Sequence, residues 1–327
     1  MPPTAGDPAP TALSSVASPP AAPPPDAAKH APTPAVHVAL LVVQLAFASG
    51  AIAGKLALNR EGVDPTALAC IRALGGAIVF QLVAFVARAR RRGPAVDAPR
   101  ITRADHLRLA LYAVLGVCVN QAFFLHGLKR GTATSTTLLA ATIPVFTAAV
   151  AVIARQERIR ARTAIGITLA TAGVVTLTGV RDVSIGNLLV TINSLSYAIY
   201  LVGVRPLLQR HGATTVIAWV FTYGALLMLP FGALSIVRDA PHWSTNGALL
   251  VAWFIAVPTV VAYLANAWAL ARARSSLVAG YIYLQPLLVT LTARAWLGEQ
   301  LTPRLLIAGA AILTGLAVIA TRARGAR

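Results

Sequence analysis

ATIPVFTAAVAVIARQERIRARTAIGITLATAG, residues 141–173, and YLQPLLVTLTARAWLGEQLTPRLLIAGAAILTG, residues 283–315, are two versions of one stretch. A shift of 142 positions lays Pro144 on Pro286, Glu157 on Glu299, Arg162 on Arg304, Ile165 on Ile307 and Gly173 on Gly315. In each version a proline sits midway along an apolar run, a glutamate closes that run, and a second apolar run begins a few residues later. Each therefore reads as two membrane helices joined by a tight turn.

Composition agrees. Apolar residues make up 57% of the chain and charged ones 12%, against roughly a quarter charged in a soluble domain. The fold class is an all-α integral membrane protein. The net charge of +18 would suit nucleic acid, but the arginines fall between apolar runs and not along one polar face, so nucleic acid is not an expected partner. Cys70 and Cys118 lie inside apolar runs without CxxC or histidine spacing, which indicates packing residues and no metal site.

Residues 1–35 hold 11 of the 21 prolines and almost no large apolar side chains, a composition that cannot offset its ordering entropy. They read as a disordered tail. Lacking a basic n-region and an apolar h-region, the tail is expected to stay on the mature protein. A hydrocarbon core of about 30 Å takes about 20 helical residues to cross. Runs of that order predict ten spans, near 37–58, 66–87, 107–127, 134–154, 162–180, 184–204, 214–236, 247–270, 275–297 and 303–321.

Positively charged loops stay cytoplasmic. With the N-terminus inside, 19 lysines and arginines fall on the cytoplasmic side and seven outside, with Lys55 and Arg72 left within helices. Both termini are then cytoplasmic and the protein sits multi-pass in the cell membrane, with residues 322–327 as a basic tail. The repeat also extends upstream: a shift of 150 lays Lys55 on Arg205 and Gly62 on Gly212. Residues 36–180 and 184–321 become two halves of five helices each. Five is odd, so the second half enters from the opposite side, an inverted repeat of the kind found mainly in transporters.

These residues resemble the drug/metabolite transporter superfamily, in particular its ten-helix proteins with two EamA domains, across about residues 37–321. QLAFASGAIAGKLALNREGVDPTALACIRALGGAI (44–78) is similar to that family's opening. LGVCVNQAFFLHGLKRGTATSTTLLAATIPVFTAAVAVIARQER (115–158) resembles amino-acid and auxin exporters of the plant nodulin-like branch, and WLGEQLTPRLLIAGAAILTGL (296–316) matches the close of the second domain. One departure is Phe47, where a tryptophan is common in the family. The resemblance implies a transporter, often an exporter, of amino acids or similar small metabolites, using no cofactor.

The prolines carry a physical expectation of their own. Each removes a backbone donor and clashes with the carbonyl four residues back, here Ala140 and Ile282, so helices four and nine should kink near the bilayer centre. A freed carbonyl in hydrocarbon needs a partner, and water in a cavity is one. Polar side chains belong on the same cavity. At helical spacing the candidates are Gln44 and Phe47 in helix one, Gln121 and Phe124 in helix three, and Asn193, Tyr197 and Tyr200 in helix six. Tyr263 and Asn266 in helix eight match Gln121 and Phe124 across the repeat, and Tyr281 and Gln285 precede Pro286 in helix nine. Interhelical hydrogen bonds that pack the bundle are the alternative for any one of them.

Glu157 and Glu299 end helices, with arginines five positions on, and read as structural ties of the turn, with Thr302 as N-cap and Pro303 at the first helical position. With no Asp or Glu inside an expected span, a carboxylate proton relay is not indicated. Lys55 and Arg72 lie near outer helix ends, where they either snorkel or attract a substrate carboxylate. His126 reads as interfacial. No HExxH, GxSxG, GxGxxG or GxxxxGK[ST] occurs, which argues against a membrane-embedded enzyme and against nucleotide use. The alternatives are an exchanger of phosphorylated or sugar-linked metabolites, and a receptor or enzyme built on the same bundle. The expected partners are a small-molecule substrate and the lipid bilayer, and a homodimer is the assembly left open.

Overall fold

The structure is a computed structural model and describes residues 33–89, 101–154, 161–178, 184–270, 281 and 284–320. Glu157 and the carbonyl of Ile282 lie outside the described residues. Helices α1 (Pro34–Asn59), α2 (Pro65–Ala89) and α3 (Arg103–Arg130) are followed by α4 (Ala133–Ile153) and α5 (Ala161–Thr178). Next come α6 (Ile185–His211) and α7 (Ala213–Asp239), and α8, built from Thr245–Ile255, Ala256–Val261 and Ala262–Leu270. Helices α9 (Leu284–Leu297) and α10 (Pro303–Ala320) complete the bundle.

Seven of these helices, α1 to α4 and α6 to α8, are long and apolar enough to cross a membrane. The apolar parts of α5 and α10 are shorter, Ala164–Leu177 and Pro303–Gly315, and α9 has 14 described residues, because most of the expected 275–283 lies outside them. The chain is thus a multi-pass, all-α membrane protein. Large apolar side chains face outward, among them Leu107, Phe85, Phe231 and Trp296. That is the surface a helix presents to lipid, whose tails are as apolar as the side chains.

Local chemistry sets the helix ends. The Asp64 carboxylate accepts from the backbone N–H groups of Thr66 and Ala67 at the start of α2. Thr102 and Asp105 form a reciprocal capping box on α3, and Ser184, Ser244 and Thr302 cap α6, α8 and α10. Helix α6 continues seven residues beyond its expected end, through Pro206, since a proline forfeits only one helical bond, and it stops at Gly212. Gly62 and Gly212, the glycines matched by the repeat, adopt φ of 71° and 79°. A left-handed turn costs other residues about 1–2 kcal/mol. Gly62→Ala and Gly212→Ala should each lower stability by that amount, as a thermal-unfolding series in detergent can show.

Neighbouring helices pair across the two parts of the chain. α2 packs along α7, α5 along α10, α3 along α6 and α1 along α8. At the α5 and α10 contact, Gly173 approaches the Ala308 carbonyl and Gly315 the Gly166 carbonyl, with no room for a side chain at either glycine.

Both α3 and α8 change to π geometry midway, at Val114–Val119 and Ala256–Val261, 142 residues apart. The causes differ. In α8, Pro258 has no N–H for the Phe254 carbonyl, and the Thr259 hydroxyl donates to that oxygen instead at 3.4 Å. In α3 the Leu115 carbonyl, inside the π turn, accepts from Ser196 Oγ of α6 at 2.9 Å. The contacts at the two turns are reversed. The Tyr200 ring of α6 covers Gly116, whereas Pro258 itself presses on Gly50 of α1. A Cβ at Gly116 would stand 2.7 Å from Tyr200 Cγ. Gly116→Ala should therefore cost about 1–3 kcal/mol by overpacking, with Tyr200→Ala relieving part of the loss in the double variant.

The expectation for Pro144 needs correction. It does not bend a continuous helix: α4 is interrupted by a turn at Ala141 and Thr142, and Pro144 stands in the first turn of the restarted segment, Ile143–Ile153. The carbonyl that gathers new donors is that of Leu139, not Ala140. It accepts from the Thr142 backbone and hydroxyl and from Ser194 Oγ of α6. Pro286 is buried in the first turn described for α9.

Candidate functional site

Tyr263 follows the π turn of α8 and is the hub of an aromatic group. Its ring meets Phe47 of α1 edge-on at 6.2 Å, Phe80 of α2 at 5.4 Å and Phe221 of α7 at 5.9 Å, while Phe80 and Phe221 lie 4.9 Å apart. Such spacings are those of favourable tilted and edge-to-face pairs. On α6, Tyr197 lies 5.3 Å from Tyr200, and Tyr200 is 6.4 Å from Tyr112 of α3. The structure thus brings Phe47 and Tyr263 together and adds Phe80 and Phe221. As single phenylalanines in long apolar runs, these two gave no signal in the sequence.

Arg72 lies seven residues into α2, about 10 Å from its start by helical rise, so it is deeper than an end-of-helix reading implies. Its Nε donates to Thr259 Oγ1 at 3.1 Å, and its guanidinium carbon lies 5.1 Å from the centre of the Phe254 ring. Thr259 accepts from Arg72 and donates to Phe254, the two roles one hydroxyl can fill together.

Gln44 and Gln121 are 2% and 3% exposed, and neither amide oxygen has a hydrogen-bond partner. Buried polar atoms are nearly always paired, so two orphans at sites expected to face a cavity call for an explanation. Gln121 sits two turns from Leu128 on the same face of α3, and Leu128 packs at Gly54 of α1, itself two turns from Phe47. Gln121 therefore lies at the level of Phe47.

Other candidates are engaged elsewhere. Asn193 Oδ1 accepts from Asn120 Nδ2 at 2.7 Å, an interhelical tie between α3 and α6. Tyr281 is hydrogen-bonded to His37 Nδ1 at 2.6 Å, near the start of α1. Phe124, Asn266 and Gln285 are half-buried. His126 meets Thr66 Oγ1 at 3.2 Å, close to the start of α2.

The Glu299 carboxylate reaches beyond its own turn. It accepts from the backbone N–H groups of Ala133 and Thr134, at 2.5 and 3.0 Å, and from Thr134 Oγ1 at 2.7 Å. It therefore caps α4, with its negative charge at the positive end of the helix dipole. Lys55 ties the neighbouring helix end, its ammonium donating to the carbonyls of Leu128, Lys129 and Gly131. Asp105, just before the expected span 107–127, is 1% exposed in the first turn of α3 and paired with Arg210 at 3.1 Å and His211 at 3.2 Å. An open groove lined by Leu56, Arg60, Asn246, Leu250 and Trp253 lies at the ends of α1 and α8, away from this centre. Among the described residues no cluster of His, Cys, Asp and Glu could hold a metal ion.

A family model described as the EamA-like transporter family matches residues 35–179 and again 184–321. The chain is 26% identical over 295 residues to a protein of Archaeoglobus fulgidus named an uncharacterized transporter, covering 88% of this chain and 97% of that one. It is 25% identical to a probable terminal-alkyne amino-acid exporter of Streptantibioticus cattleyicolor, covering 88% of this chain and 94% of that one. Among solved structures, a protein crystal structure shares the fold with a TM-score of 0.59 at 21% identity, over 89% of this chain and 99% of that one.

Proposed function

The chain belongs to the EamA-like transporter family and is a secondary transporter, and on that premise we propose that it exports amino acids or related small metabolites by alternating access. Residues 36–180 and 184–321 are the two halves of an inverted ten-helix repeat, and a central site between them opens to one side of the membrane and then to the other. The observation that carries this reading is the pair of π turns in α3 and α8, 142 residues apart, each covered by the first helix of the opposite half. Interruptions of this type concentrate at functional sites, because they break the regular backbone bonding that would otherwise hold a helix rigid. The candidate lining is Gln44, Phe47, Gln121, Tyr197 and Tyr263, with Phe80 and Phe221 added by the aromatic contacts. Likeness to a probable amino-acid exporter supports the substrate class.

Transport breaks no covalent bond, so the residues need only bind the solute and release it. Purified protein in liposomes, offered labelled amino acids, nucleosides and organic cations, tests the reading: saturable movement of amino acids is expected. Movement confined to nucleosides or cations would overturn the substrate class, and no movement of any solute would overturn the function proposed. The proposed orientation puts both termini in the cytoplasm, from the asymmetry of 19 basic residues to seven. A reporter fused after Arg327 should be active only on the cytoplasmic side, and periplasmic activity would reverse the arrangement.

A further inference from the structure

We propose that Arg72 is the anion-binding group of the central site, so that the transported solute carries a carboxylate; this rests on the transport reading above. Five acidic residues are described, and each is already engaged near a helix end. Glu61 holds Ser244, Asp64 caps α2, and Asp105 pairs with Arg210 and His211. Asp239 takes the Asp64 N–H and the Trp243 indole, and Glu299 caps α4. Among the described residues none pairs with Arg72.

A guanidinium is the one side chain here that cannot shed its charge, and a charge placed within a membrane bundle is ordinarily paired. Arg72 has one hydrogen bond, from Nε, and one ring beneath it. Its two terminal amino groups have no protein acceptor among the described residues, although they are the pair of donors that matches the two oxygens of a carboxylate. Thr259 fixes the fork from behind and Phe254 from one face, leaving the terminal edge open. Tyr263 stands four residues after Thr259 on α8, on the same helix face, and a tyrosine hydroxyl can donate to an anion. The phenylalanines around Tyr263 suit the apolar remainder of such a solute. A single cation fits a monoanion better than a phosphate dianion, which would need a second.

Phenylalanine, its carboxamide, phenethylamine and 3-phenylpropionate separate the possibilities, because they keep the ring and remove one charged group at a time. Competition against labelled phenylalanine in proteoliposomes should rank phenylalanine and 3-phenylpropionate at least about tenfold above the carboxamide and the amine, the equivalent of one lost charge-assisted hydrogen bond. Arg72→Gln should abolish that ranking, and Arg72→Lys should keep part of it. If Arg72→Gln does not fold, the ranking in the unaltered protein decides. Should the carboxamide compete as well as the acid, or Arg72→Gln keep the preference, the assignment is wrong while transport itself stands. Should a phosphate ester outrank the acids, the monoanion is wrong. If the unaltered protein moves no solute at all, the transport reading falls and takes this one with it.

Discussion

Gln121→Leu is expected to abolish transport while leaving the protein as stable as before, or more so. A buried amide oxygen without a donor costs about 1–3 kcal/mol relative to a satisfied one, and leucine fills nearly the same volume without that cost. The folded state therefore loses nothing when Gln121, 3% exposed and with Oε1 unpartnered, is replaced. Function is another matter. If the amide is held in reserve for a solute, its removal deletes a hydrogen bond of about 1.5 kcal/mol and lowers affinity by about tenfold. Beyond that, a leucine at the level of Phe47 offers a polar solute nothing in place of the hydrogen bonds it gives up to water. Gln44→Leu should behave alike, since its amide oxygen is also buried and unpartnered. Uptake into proteoliposomes, measured beside thermal unfolding of the same preparations, separates the two effects. Normal uptake by both variants would remove this face from the solute path, and a large fall in melting temperature would show that the amides are structural after all.

Glu299→Ala is expected to do the reverse, lowering stability strongly because it deletes the cap of α4. The carboxylate takes two backbone N–H groups and one hydroxyl, and charged hydrogen bonds contribute about 1.5–3 kcal/mol each when isolated. The three share one anion and one partly buried site, so their sum is not additive, and a total loss of about 2–4 kcal/mol is expected. Glu299→Gln keeps one acceptor and should recover part of it. The loss should also exceed that of Lys55→Met, since two of the carbonyls its ammonium ties belong to the half-buried Lys129 and Gly131, whereas the donors to Glu299 sit on the buried Ala133 and Thr134. Equal melting temperatures for Glu299→Ala and the unaltered protein would mean that water replaces the carboxylate at no cost.

The helices were legible because their signal is local. About 20 apolar residues in a row make a helix in lipid regardless of what surrounds them, and Gly62 and Gly212 stand out because only glycine takes their φ without strain. Gly173 and Gly315 were legible as a matched pair, and the structure shows why each stays small. The π turns were not legible. One depends on Pro258 and the other on a serine donated by α6, so no common residue marks them. The tie of Asn193 was not legible for a similar reason: its partner Asn120 faces it only once α3 and α6 have packed. Glu299 looked local because its turn is local, yet its three donors come from residues more than 160 positions earlier. The setting of Arg72 is not local either, since the threonine and the phenylalanine that hold its guanidinium belong to α8.

The central claim is that one site at the middle of the bundle opens to each side in turn, and thiol accessibility tests it most directly. With Cys70 and Cys118 replaced by alanine, Gln121→Cys would carry the single thiol at the candidate site. Membrane-impermeant maleimide is then applied to oriented vesicles, first from one side and then from the other. Alternating access expects labelling from both sides, each at a rate slower than for a cysteine on an exposed loop. Labelling from one side alone, or from neither, would contradict it.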